Sequence, residues 1–582
     1  MNILGLHDGH LATAALIVDG TIVAMVSEER LTRRKNQGGA PKEAIGCVLR
    51  QAGLRGEQID AVALATLTQP LQTWTDDMDH HRRQLFRVAN RLLPVRLIGS
   101  PALVAPYIAL YKRKRDWTGL DRALASHGIR PRLYVRHRYE HHLCHAATAY
   151  YLSWFRDAEP MLIITADGSG DGLCASVQIG RHGRLERLHA IPSYHSLGEL
   201  YTRVTELLGM MPLEHEYKVM GLAPYAPPEL ADRAFQVFSR YYRLTADETS
   251  VENTAGVWGI DLRDRLARDL RGVRFDAVAA GVQRLIETIV TRFVLAWVRR
   301  TGVRTVAVAG GLFMNVKLNL LLGELPEIER LFLMPSGGDE SIALGAALLA
   351  WSDACLAAGR EPPLTPLDQL YLGPEYSREE ILDDLQGRRD EVGWCEPPDI
   401  EAEVARLLAG GEILGRLAGR MEWGARSLGN RAILADPRSL NVVRRLNVAI
   451  KMRDFWMPFA PSILEERRDD YLQHGTRVRA PYMISAFRST ERAQREIVAG
   501  LHPYDLSCRP QIVTRAANPR YHRLIQHFET LTGVGAVLNT SFNLHGEPIV
   551  CRPADALHTL LNSELDAVAI EGFLVRRRSP CH

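Results

Sequence analysis

The chain has 582 residues, of which 46% are hydrophobic and 24% charged, and its formal net charge is +3. This length is too great for one hydrophobic core and predicts two to four domains in a globular protein. The near-balanced charge argues against a nucleic-acid partner, which usually meets a concentrated basic face.

The eight cysteines are scattered and form no Cys-x-x-Cys pair, which argues against a disulfide framework and a thiolate zinc site. The sequence shows no basic, apolar secretion signal and no uninterrupted apolar run of membrane length. We therefore expect a cytoplasmic protein without a membrane partner. We also expect a monomer or a homodimer.

The first thirty residues predict three short strands, in "NILGLHDGH", "ATAALIVDG" and "TIVAMVSEER". Asp19 and Gly20 separate two apolar runs and predict a tight hairpin, because both residues tolerate a positive φ angle. Residues of about 70–135 differ, with helical periodicity and many arginines and tryptophans. They predict a helical insertion over a core sheet.

Strand signals return at 160–180, and a helical stretch near 275–300 leads to two strand, glycine-turn and helix units. The proline-rich stretch 360–374 predicts a linker. We therefore expect a first domain over residues 1–365 and a second α/β domain over residues 372–582.

Three glycine turns follow apolar strands in the first domain, at Gly5 to Gly9, 166–172 and 309–311. Backbone amides in such turns can face phosphate oxygens without an obstructing side chain. One glycine turn alone is more often a plain hairpin. Three of them, separated by helical insertions, fit the core of an actin-like ATPase.

The stretch "RYEHHLCHAATAY" places His141 and His145 four residues apart, on one face of a helix, where two imidazoles can share one metal ion. Asp167 and Asp339 each end an apolar strand inside a glycine turn and can complete the shell. A lone histidine pair is more often a pair of surface groups. The two additional aspartates make a metal site the better interpretation here. Nitrogen and carboxylate ligands without thiolate suit iron, manganese or zinc, and we expect His142 to be a bystander.

His10 lies beside the first hairpin, on a loop that can face a phosphate. A histidine there is placed to act as a general base on a hydroxyl. A plain turn residue is an equally good interpretation on position alone, so the sequence leaves both open.

The second domain contains clustered cations. The segment "GRMEWGARSLGNRAILADPR" holds four arginines, and "NVAIKMRDFWMPFAPSIL" adds Lys451 and Arg453. The segment "VLNTSFNLHGEPIVCRPADAL" places Ser541 and Asn543 in a turn after an apolar strand. Cationic forks with a hydroxyl and exposed amides suit a phosphate or a mixed anhydride. A surface salt bridge is the better interpretation for Arg438, whereas the combined pattern predicts an anion site.

These motifs resemble those of the O-carbamoyltransferases of the NodU/CmcH/TobZ type, which act in nodulation-factor and antibiotic biosynthesis. The resemblance spans nearly the whole chain. The segments that carry it are, in order, "VDGTIVAMVSEERLTRRK", "EHHLCHAA", "EYKVMGLAPY", "GGLFMN", "SGGDESIALGAA", "GRMEWGARSLGNRAIL", "MPFAPSIL" and "NTSFNLHGEPIV".

The resemblance implies an α/β protein whose first domain is actin-like, similar to the metal-dependent universal tRNA-threonylcarbamoyl transferase (TsaD), and whose second domain is YrdC-like. It implies that the second domain forms carbamoyl-adenylate from carbamoyl phosphate and ATP, with magnesium accompanying the ATP. The first domain would then transfer the carbamoyl group beside a metal ion, expected to be Fe(II), with manganese or zinc as alternatives. We expect the acceptor to be a hydroxyl of a sugar, nucleoside or polyketide-type secondary metabolite.

The same resemblance implies roles for individual residues. The metal shell is His141, His145, Asp167 and Asp339. His10 is the base, and Lys35 is a cation for the carbamoyl or phosphate group. The nucleotide contacts of the first domain are Asp167, Gly168, Gly310, Gly311 and Asn315. The contacts to anions and nucleotide in the second domain are Arg426, Lys451, Arg453, Arg509, Ser541 and Asn543.

Two positions depart from the pattern of this family. The loop around the base often reads Gly-His-Asp there, whereas here it reads Gly9-His10-Leu11. His7 lies just before it and is an alternative base. Met457 stands where some relatives carry arginine, which puts one anion contact in question.

Two other functions compete with this interpretation. A hydrogenase-maturation carbamoyltransferase has the same two linked domains, but the sequence shows no acylphosphatase segment and no Cys-x-x-Cys zinc fingers. A non-catalytic, actin-like ATP-binding scaffold is disfavoured by the retained histidines and aspartates.

Overall fold

The computed structural model of the protein describes residues 1–68, 70, 117–131, 133–155, 158–363, 365–447, 454–474 and 478–578. These residues form two compact units. The first comprises Met1–Val23 and Gln37–Leu367, and the second comprises Ala24–Asn36 and the chain from Asp368 onward.

The first sheet of the first unit has the strand order β3–β2–β1–β4–β5. Its strands are β1 (Asn2–His7), β2 (Thr13–Val18), β3 (Thr21–Ser27), β4 (Ala61–Leu64) and β5 (Val135–Arg138). Strand β1 is antiparallel to β2 and parallel to β4. Asp19 and Gly20, with φ angles of 48° and 83°, form the two-residue turn between β2 and β3, which confirms the predicted hairpin.

The second sheet of the first unit has the order β12–β11–β6–β7–β8. Its strands are β6 (Met161–Gly170), β7 (Leu173–Arg181), β8 (Arg184–Pro192), β11 (Thr305–Ala309) and β12 (Arg330–Leu333), while β9 (Tyr242–Leu244) and β10 (Val251–Asn253) form a separate ribbon. Strand β11 is parallel to both β6 and β12. Both sheets therefore repeat one order, a three-strand meander beside two parallel strands. This duplicated α/β arrangement is the actin-like fold expected from the sequence.

Helices cover these two sheets. Those of the first unit are α2 (Lys42–Ala52), α3 (Thr118–Ser126), α4 (His141–Tyr151), α5 (Leu197–Leu207), α6 (Glu216–Leu222), α7 (Pro228–Ser239), α8 (Arg263–Asp269), α9 (Phe275–Thr301), α10 (Val316–Glu324) and α11 (Ile342–Ala357), while α1 (Glu28–Thr32) belongs to the second unit. Among the described residues, the stretch Asp339–Ala357 is long and apolar enough to cross a membrane. However, 72% of its most apolar window is buried inside the protein, and α11 packs against β1 and α4 as a core helix does.

The predicted helical insertion of about 70–135 lies mostly outside the described residues. Of the part that is described, Thr118–Ser126 form α3 and Val135–Arg138 form the edge strand β5.

The second unit is built on an eight-stranded mixed sheet of order β13–β20–β19–β14–β15–β18–β16–β17. Its strands are β13 (Val392–Cys395), β14 (Leu414–Leu417), β15 (Arg431–Ala435), β16 (Ala460–Leu464), β17 (Gln511–Val513), β18 (Ala536–Ser541), β19 (Ala567–Ile570) and β20 (Phe573–Arg577). Its further helices are α12 (Arg378–Gly387), α13 (Ile400–Ala409), α14 (Leu440–Leu446), α15 (Arg468–Tyr471), α16 (Glu491–Glu496), α17 (Pro519–Thr532) and α18 (Pro553–Leu561). Phe459, Leu538 and Phe542 lie in its buried core. The unit is α/β as expected, and its likeness to YrdC stays a prediction.

Candidate functional site

Three neighbouring parallel strands of the first unit end at the same edge of their sheet, and a predicted site residue lies near each end. Asp167 lies in β6, Gly310 follows β11, and Asp339 lies in the turn after β12. Ligand sites in open α/β sheets form at this carboxyl edge. The strand order therefore brings together residues that are up to 172 positions apart in the sequence (167 and 339).

Two imidazoles and two carboxylates converge at this edge. The Nε2 atoms of His141 and His145 lie 3.1 Å apart. Asp167 Oδ2 lies 3.0 Å from His145 Nε2 and 3.4 Å from His141 Nε2. Asp339 Oδ1 lies 3.5 Å and 3.7 Å from the same two nitrogens. All four ligand atoms lie within 4.8 Å of one another.

This spacing fits one metal ion held by four residues. With metal–ligand bonds of about 2.1 Å, neighbouring ligand atoms in a tetrahedral or octahedral shell lie about 3.0–3.4 Å apart. A cation placed between the two imidazole nitrogens binds the lone pairs of both. The donor set of two nitrogens and two carboxylate oxygens therefore suits a transition-metal ion.

The electrostatics of the cluster also favour a bound cation. Burial lowers the pKa of His141, but the carboxylates of Asp339 and Asp167 outweigh this effect and raise it to about 9. Burial raises the pKa of Asp167, but hydrogen bonds with His141 and His145 outweigh it and hold that pKa well below its usual range. The field of the two carboxylates therefore attracts positive charge, which a metal ion supplies in competition with protons.

Glycines allow the close packing that aligns these ligands. A Cβ atom on Gly345 of α11 would lie 2.1 Å from the carbonyl oxygen of Cys144, between the two metal-facing histidines of α4. A Cβ atom on Gly170 would lie 2.1 Å from the ring of His141. A larger residue at Gly345 would push α4 away, and one at Gly170 would push the ring of His141 away. The two glycines therefore fix the positions of the histidines.

His142 takes no part in the cluster. Its Nδ1 atom lies 2.9 Å from Thr165 Oγ1 in the protein interior. Burial, together with His141 and His145, holds its pKa well below the usual value. The neutral ring of His142 therefore packs behind the cluster, in the bystander position that the sequence predicted.

The predicted nucleotide turns lie against Asp167. Gly310 has a φ angle of 103°, and a Cβ atom there would lie 2.2 Å from the carbonyl oxygen of Ala166. A Cβ atom on Gly311 would lie 2.9 Å from Asp167 Oδ1. Gly168 is different, because the nearest atom to its Cβ position is 3.9 Å away. The turn after β11 thus requires glycine for close approach, whereas the position of Gly168 leaves space.

Asn315 has a structural role in addition to its predicted nucleotide contact. Its side-chain oxygen accepts a hydrogen bond from the Leu318 amide at the start of α10, and its amide nitrogen donates to Gln283 Oε1 at 2.8 Å. A largely apolar cavity lies beside this turn and beside Asp167. Its lining includes Ile164, His195, Gly198, Phe293, Leu312 and Phe313.

Of the two candidate bases, His7 approaches the metal cluster. His7 ends β1 and is buried, and its Nε2 atom lies 3.9 Å from Asp339 Oδ2. The same atom lies 3.1 Å from the carbonyl oxygen of His10, so the two histidines are packed together. His10 itself is half-buried. Lys35 is exposed and belongs to the second unit by its contacts.

Two arginines of the glycine-punctuated segment in the second unit are structural. Arg431 is fully buried and donates hydrogen bonds to the carbonyl oxygens of Ala418, Gly419, Asn430, Cys551 and Pro374. Arg420 donates to the carbonyl oxygen of Leu372 at 2.8 Å. These guanidinium groups hold backbone turns, which the clustering of cations in the sequence does not reveal.

The other predicted contacts of the second unit have varied positions. Arg426 and Arg509 are half-buried, and Ser541 ends β18. Asn543 donates to the carbonyl oxygens of Leu544 and Glu547, both at 2.8 Å. Lys451 and Arg453 lie outside the described residues. Met457, which stands where some relatives carry arginine, is buried. Arg438 pairs with Asp436 at 2.6 Å, which confirms its predicted salt bridge.

The segment Ala24–Asn36 contributes unexpectedly to the second unit. Met25 N–H donates to the carbonyl oxygen of Leu372 at 3.0 Å. Arg30 donates to the carbonyl oxygen of Gly424, and Arg33 donates to that of Ile549, both at 2.7 Å. Both contacted loops carry predicted anion contacts. The dense charges of "SEERLTRRK" were the only available signal, and they do not say which loops the arginines reach.

Comparison with known proteins matches both parts of the chain. A family model described as "Carbamoyltransferase N-terminus" matches residues 2–348, and one described as "Carbamoyltransferase C-terminus" matches residues 405–577. An uncharacterized protein of Synechocystis is 31% identical over 98% of this chain and 95% of its own length. The nodulation protein NolNO of Sinorhizobium fredii is 30% identical over 99% of this chain and 79% of its own length. Among solved structures, an activator of 2-hydroxyisocaproyl-CoA dehydratase from Clostridium difficile, with bound ADPNP, is 16% identical over 62% of this chain and 97% of its own, with a TM-score of 0.32.

Proposed function

Since this chain belongs to the NodU-type carbamoyltransferase family and is thus a carbamoyltransferase, we propose that it is an ATP-dependent O-carbamoyltransferase acting on a small-molecule hydroxyl. The second unit forms carbamoyl-adenylate from carbamoyl phosphate and ATP. Water cleaves carbamoyl phosphate to carbamate and phosphate, a carbamate oxygen then attacks the α-phosphorus of ATP, and pyrophosphate leaves. The first unit transfers the carbamoyl group to the acceptor. This assignment of the two steps rests on the resemblance to O-carbamoyltransferases described in the sequence analysis.

Activation is required because the carbon of free carbamate is a poor electrophile without a leaving group. Linking it to the phosphate of AMP creates a mixed anhydride with a good leaving group. In the second unit, Arg426, Arg509 and Ser541 hold the anionic groups, and Asn543 shapes the turn behind Ser541. The same role for Lys451 and Arg453 rests on the resemblance alone.

In the transfer step, the acceptor oxygen attacks the carbamoyl carbon. The new carbon–oxygen bond forms, the bond between the carbamoyl carbon and the phosphate oxygen breaks, and AMP leaves. His10 takes the proton of the hydroxyl, with His7 as the alternative base. The role of Lys35 as a cation for the carbamoyl or phosphate group rests on the resemblance alone. Gly168, Gly310 and Gly311 allow the nucleotide phosphate to approach the backbone. The apolar cavity beside them suits a nucleobase.

The residues of the cluster suit a metal ion, with Fe(II) as the first candidate. His141, His145, Asp167 and Asp339 would hold it. When bound, such an ion stabilises negative charge on a phosphate oxygen as a Lewis acid. The cluster's own residues orient one another, since Asp167 contacts both histidines.

The convergence of two imidazoles and two carboxylates within 4.8 Å carries this proposal. Asp167 and Asp339 lie near the strand ends that also carry the glycine turns, and the two histidines face them from α4. A nucleotide phosphate at those turns would therefore lie beside the metal. A non-catalytic scaffold has no need of such a metal cluster.

The activation step is tested by exchange of labelled pyrophosphate into ATP. We expect exchange that depends on carbamoyl phosphate. Absence of exchange in well-folded protein would contradict an adenylate mechanism. The transfer step is tested by incubating the enzyme with carbamoyl phosphate, ATP and a panel of sugars, nucleosides and polyketide alcohols. A mass gain of one carbamoyl group identifies the acceptor.

A further inference from the structure

The carboxylate of Asp171 accepts hydrogen bonds from four donors, although the turn that contains Asp171 needs none of them in order to form. It occupies the two-residue turn between β6 and β7 with Gly172, and their φ angles are 49° and 91°. Asp-Gly is a preferred pair for such a turn because both residues must adopt a positive φ angle. The side chain is not needed for that purpose.

One oxygen of this carboxylate reaches the metal helix. Asp171 Oδ2 accepts a hydrogen bond of 2.9 Å from the backbone N–H of His141, the first residue of α4. Glu140 caps the next two amides, accepting from His142 N–H at 2.8 Å and from Leu143 N–H at 3.0 Å. Two carboxylates thus satisfy the N-terminal amides of α4, where negative charge also stabilises the helix dipole.

The same carboxylate also holds the segment after β4. Asp171 Oδ1 accepts from Thr68 N–H at 2.8 Å and from Thr68 Oγ1–H at 2.7 Å. Asp171 Oδ2 accepts from Leu67 N–H at 2.9 Å. Four donors from two separate segments therefore meet one carboxylate. An asparagine of the same shape would offer one oxygen and would turn N–H groups toward some of these donors.

We propose that Asp171 is a positioning residue that sets His141 for metal binding and ties Leu67–Thr68 to the same site. The residue lies one position from Gly170, whose Cα packs against the ring of His141, so the turn fixes both the backbone and the ring of that ligand. Outer residues that orient metal ligands typically change metal affinity or activity by about 10–100-fold when they are replaced. This inference rests on the metal site of the proposed function.

The test is titration of the full-length protein with Co(II) under anaerobic conditions, followed by visible absorption. We expect Asp171→Asn to weaken Co(II) binding by about 10–100-fold, while carbamoyl-phosphate-dependent pyrophosphate exchange stays unchanged. Excess metal should restore transfer, which it would not do for a purely structural defect. Asp247→Asn is the matched control, because Asp247 accepts from Thr245 and Thr249 hydroxyls in an exposed turn.

Co(II) affinity of Asp171→Asn within twofold of the parent would overturn the proposal. If that variant does not fold, Asp171→Ser takes its place, since serine retains a shorter acceptor, and the same weakening is expected. Parent protein that binds no Co(II) would refute the metal site, and exchange would still report separately on the adenylate mechanism.

Discussion

His141 Nε2 and His145 Nε2 lie 3.1 Å apart on one face of α4. Asp167 Oδ2 lies 3.0 Å from the nitrogen of His145 and 3.4 Å from that of His141. The two rings are separated by one helical turn, which explains their common direction. Their approach from α4 and the approach of Asp167 from β6 are independent features of the chain. They meet because α4 packs on β6.

Replacement of His145 by alanine should abolish stoichiometric metal binding. The change removes one of the four ligand atoms. The remaining three, from His141, Asp167 and Asp339, form fewer bonds to the metal ion and therefore hold it more weakly. Metal content measured after dialysis should fall by at least about tenfold. Pyrophosphate exchange should survive, since that step belongs to the second unit.

His142→Asn is the control for this variant. It changes the neighbouring histidine, which contacts Thr165 and contributes no atom to the cluster. Metal content should stay at the parent level. Loss of exchange in His145→Ala would show that the division of the reaction into two sites is wrong.

Gly170→Ala should displace the ring of His141. The added methyl group would lie 2.1 Å from the imidazole, a distance that no non-bonded carbon atoms adopt. We expect metal affinity to fall by about tenfold or more. Gly168→Ala is the matched control in the same strand, because the nearest atom to its added methyl is 3.9 Å away. It should keep the metal, and equal losses in both variants would contradict this explanation.

Local features of the site could be predicted from the sequence. The spacing of His141 and His145 fixes their common face in any helix, and Asp19-Gly20 fixes a hairpin through backbone preference alone. The meeting of Asp167 and Asp339 needed one further assumption. The strands that carry these residues had to be parallel and to end at one edge of the sheet, as the expected actin-like fold implies.

Long-range features could not be predicted in this way. The arginine cluster of the second domain makes Arg431 a candidate anion contact in the sequence. In the structure Arg431 is fully buried and donates hydrogen bonds to backbone carbonyl groups. A charged residue in the sequence does not reveal which groups will surround it. Likewise, no local pattern states that Arg33 reaches residues more than 500 positions away.

His10→Ala should abolish carbamoyl transfer while leaving metal binding and exchange intact. A general base typically contributes about 10²–10⁴-fold to the rate. His7→Ala provides the comparison, because His7 Nε2 lies 3.9 Å from Asp339 Oδ2 and its loss should also weaken metal binding. Single-turnover transfer from preformed carbamoyl-adenylate measures the step directly. Transfer that survives in His10→Ala and vanishes in metal-loaded His7→Ala would assign the base to His7.

The first unit should lose stability below pH 6.5 because of His195. Burial lowers the pKa of His195 to about 4, with only partial opposition from Glu252, and its Nδ1 atom accepts a hydrogen bond from Asn253 N–H. As the pH falls from 6.5 to 4, the unfolded chain takes up a proton that the folded chain does not. The stability of the folded state therefore decreases, by up to about 3 kcal/mol at the lower end.

Urea unfolding of the parent and of His195→Gln at pH 7.5 and pH 4.5 measures this effect. Glutamine does not titrate, so the variant should lose less stability between the two values. His182→Gln replaces an exposed histidine and should follow the parent. An equal pH dependence in parent and His195→Gln would exclude His195 as the cause.

Arg33→Met should weaken the activation site of the second unit, although residue 33 is far from that unit in the sequence. Arg33 donates to the carbonyl oxygens of Pro548 and Ile549 at 2.9 Å and 2.7 Å and pairs with Glu547 at 3.3 Å. These bonds hold the loop that continues from Ser541. Their loss should cost about 2 kcal/mol in the second unit and raise the KM for carbamoyl phosphate in the exchange assay.

Arg34→Met is the matched control for Arg33→Met, because Arg34 is the adjacent arginine and is exposed. Hydrogen exchange measured over residues 541–552 should increase in Arg33→Met and remain at the parent level in Arg34→Met. If Arg33→Met retained both the parent KM and the parent exchange protection, the segment Ala24–Asn36 would be only a passive covering of the second unit. A change confined to Arg33→Met shows instead that an N-terminal segment orders the loop beside Ser541.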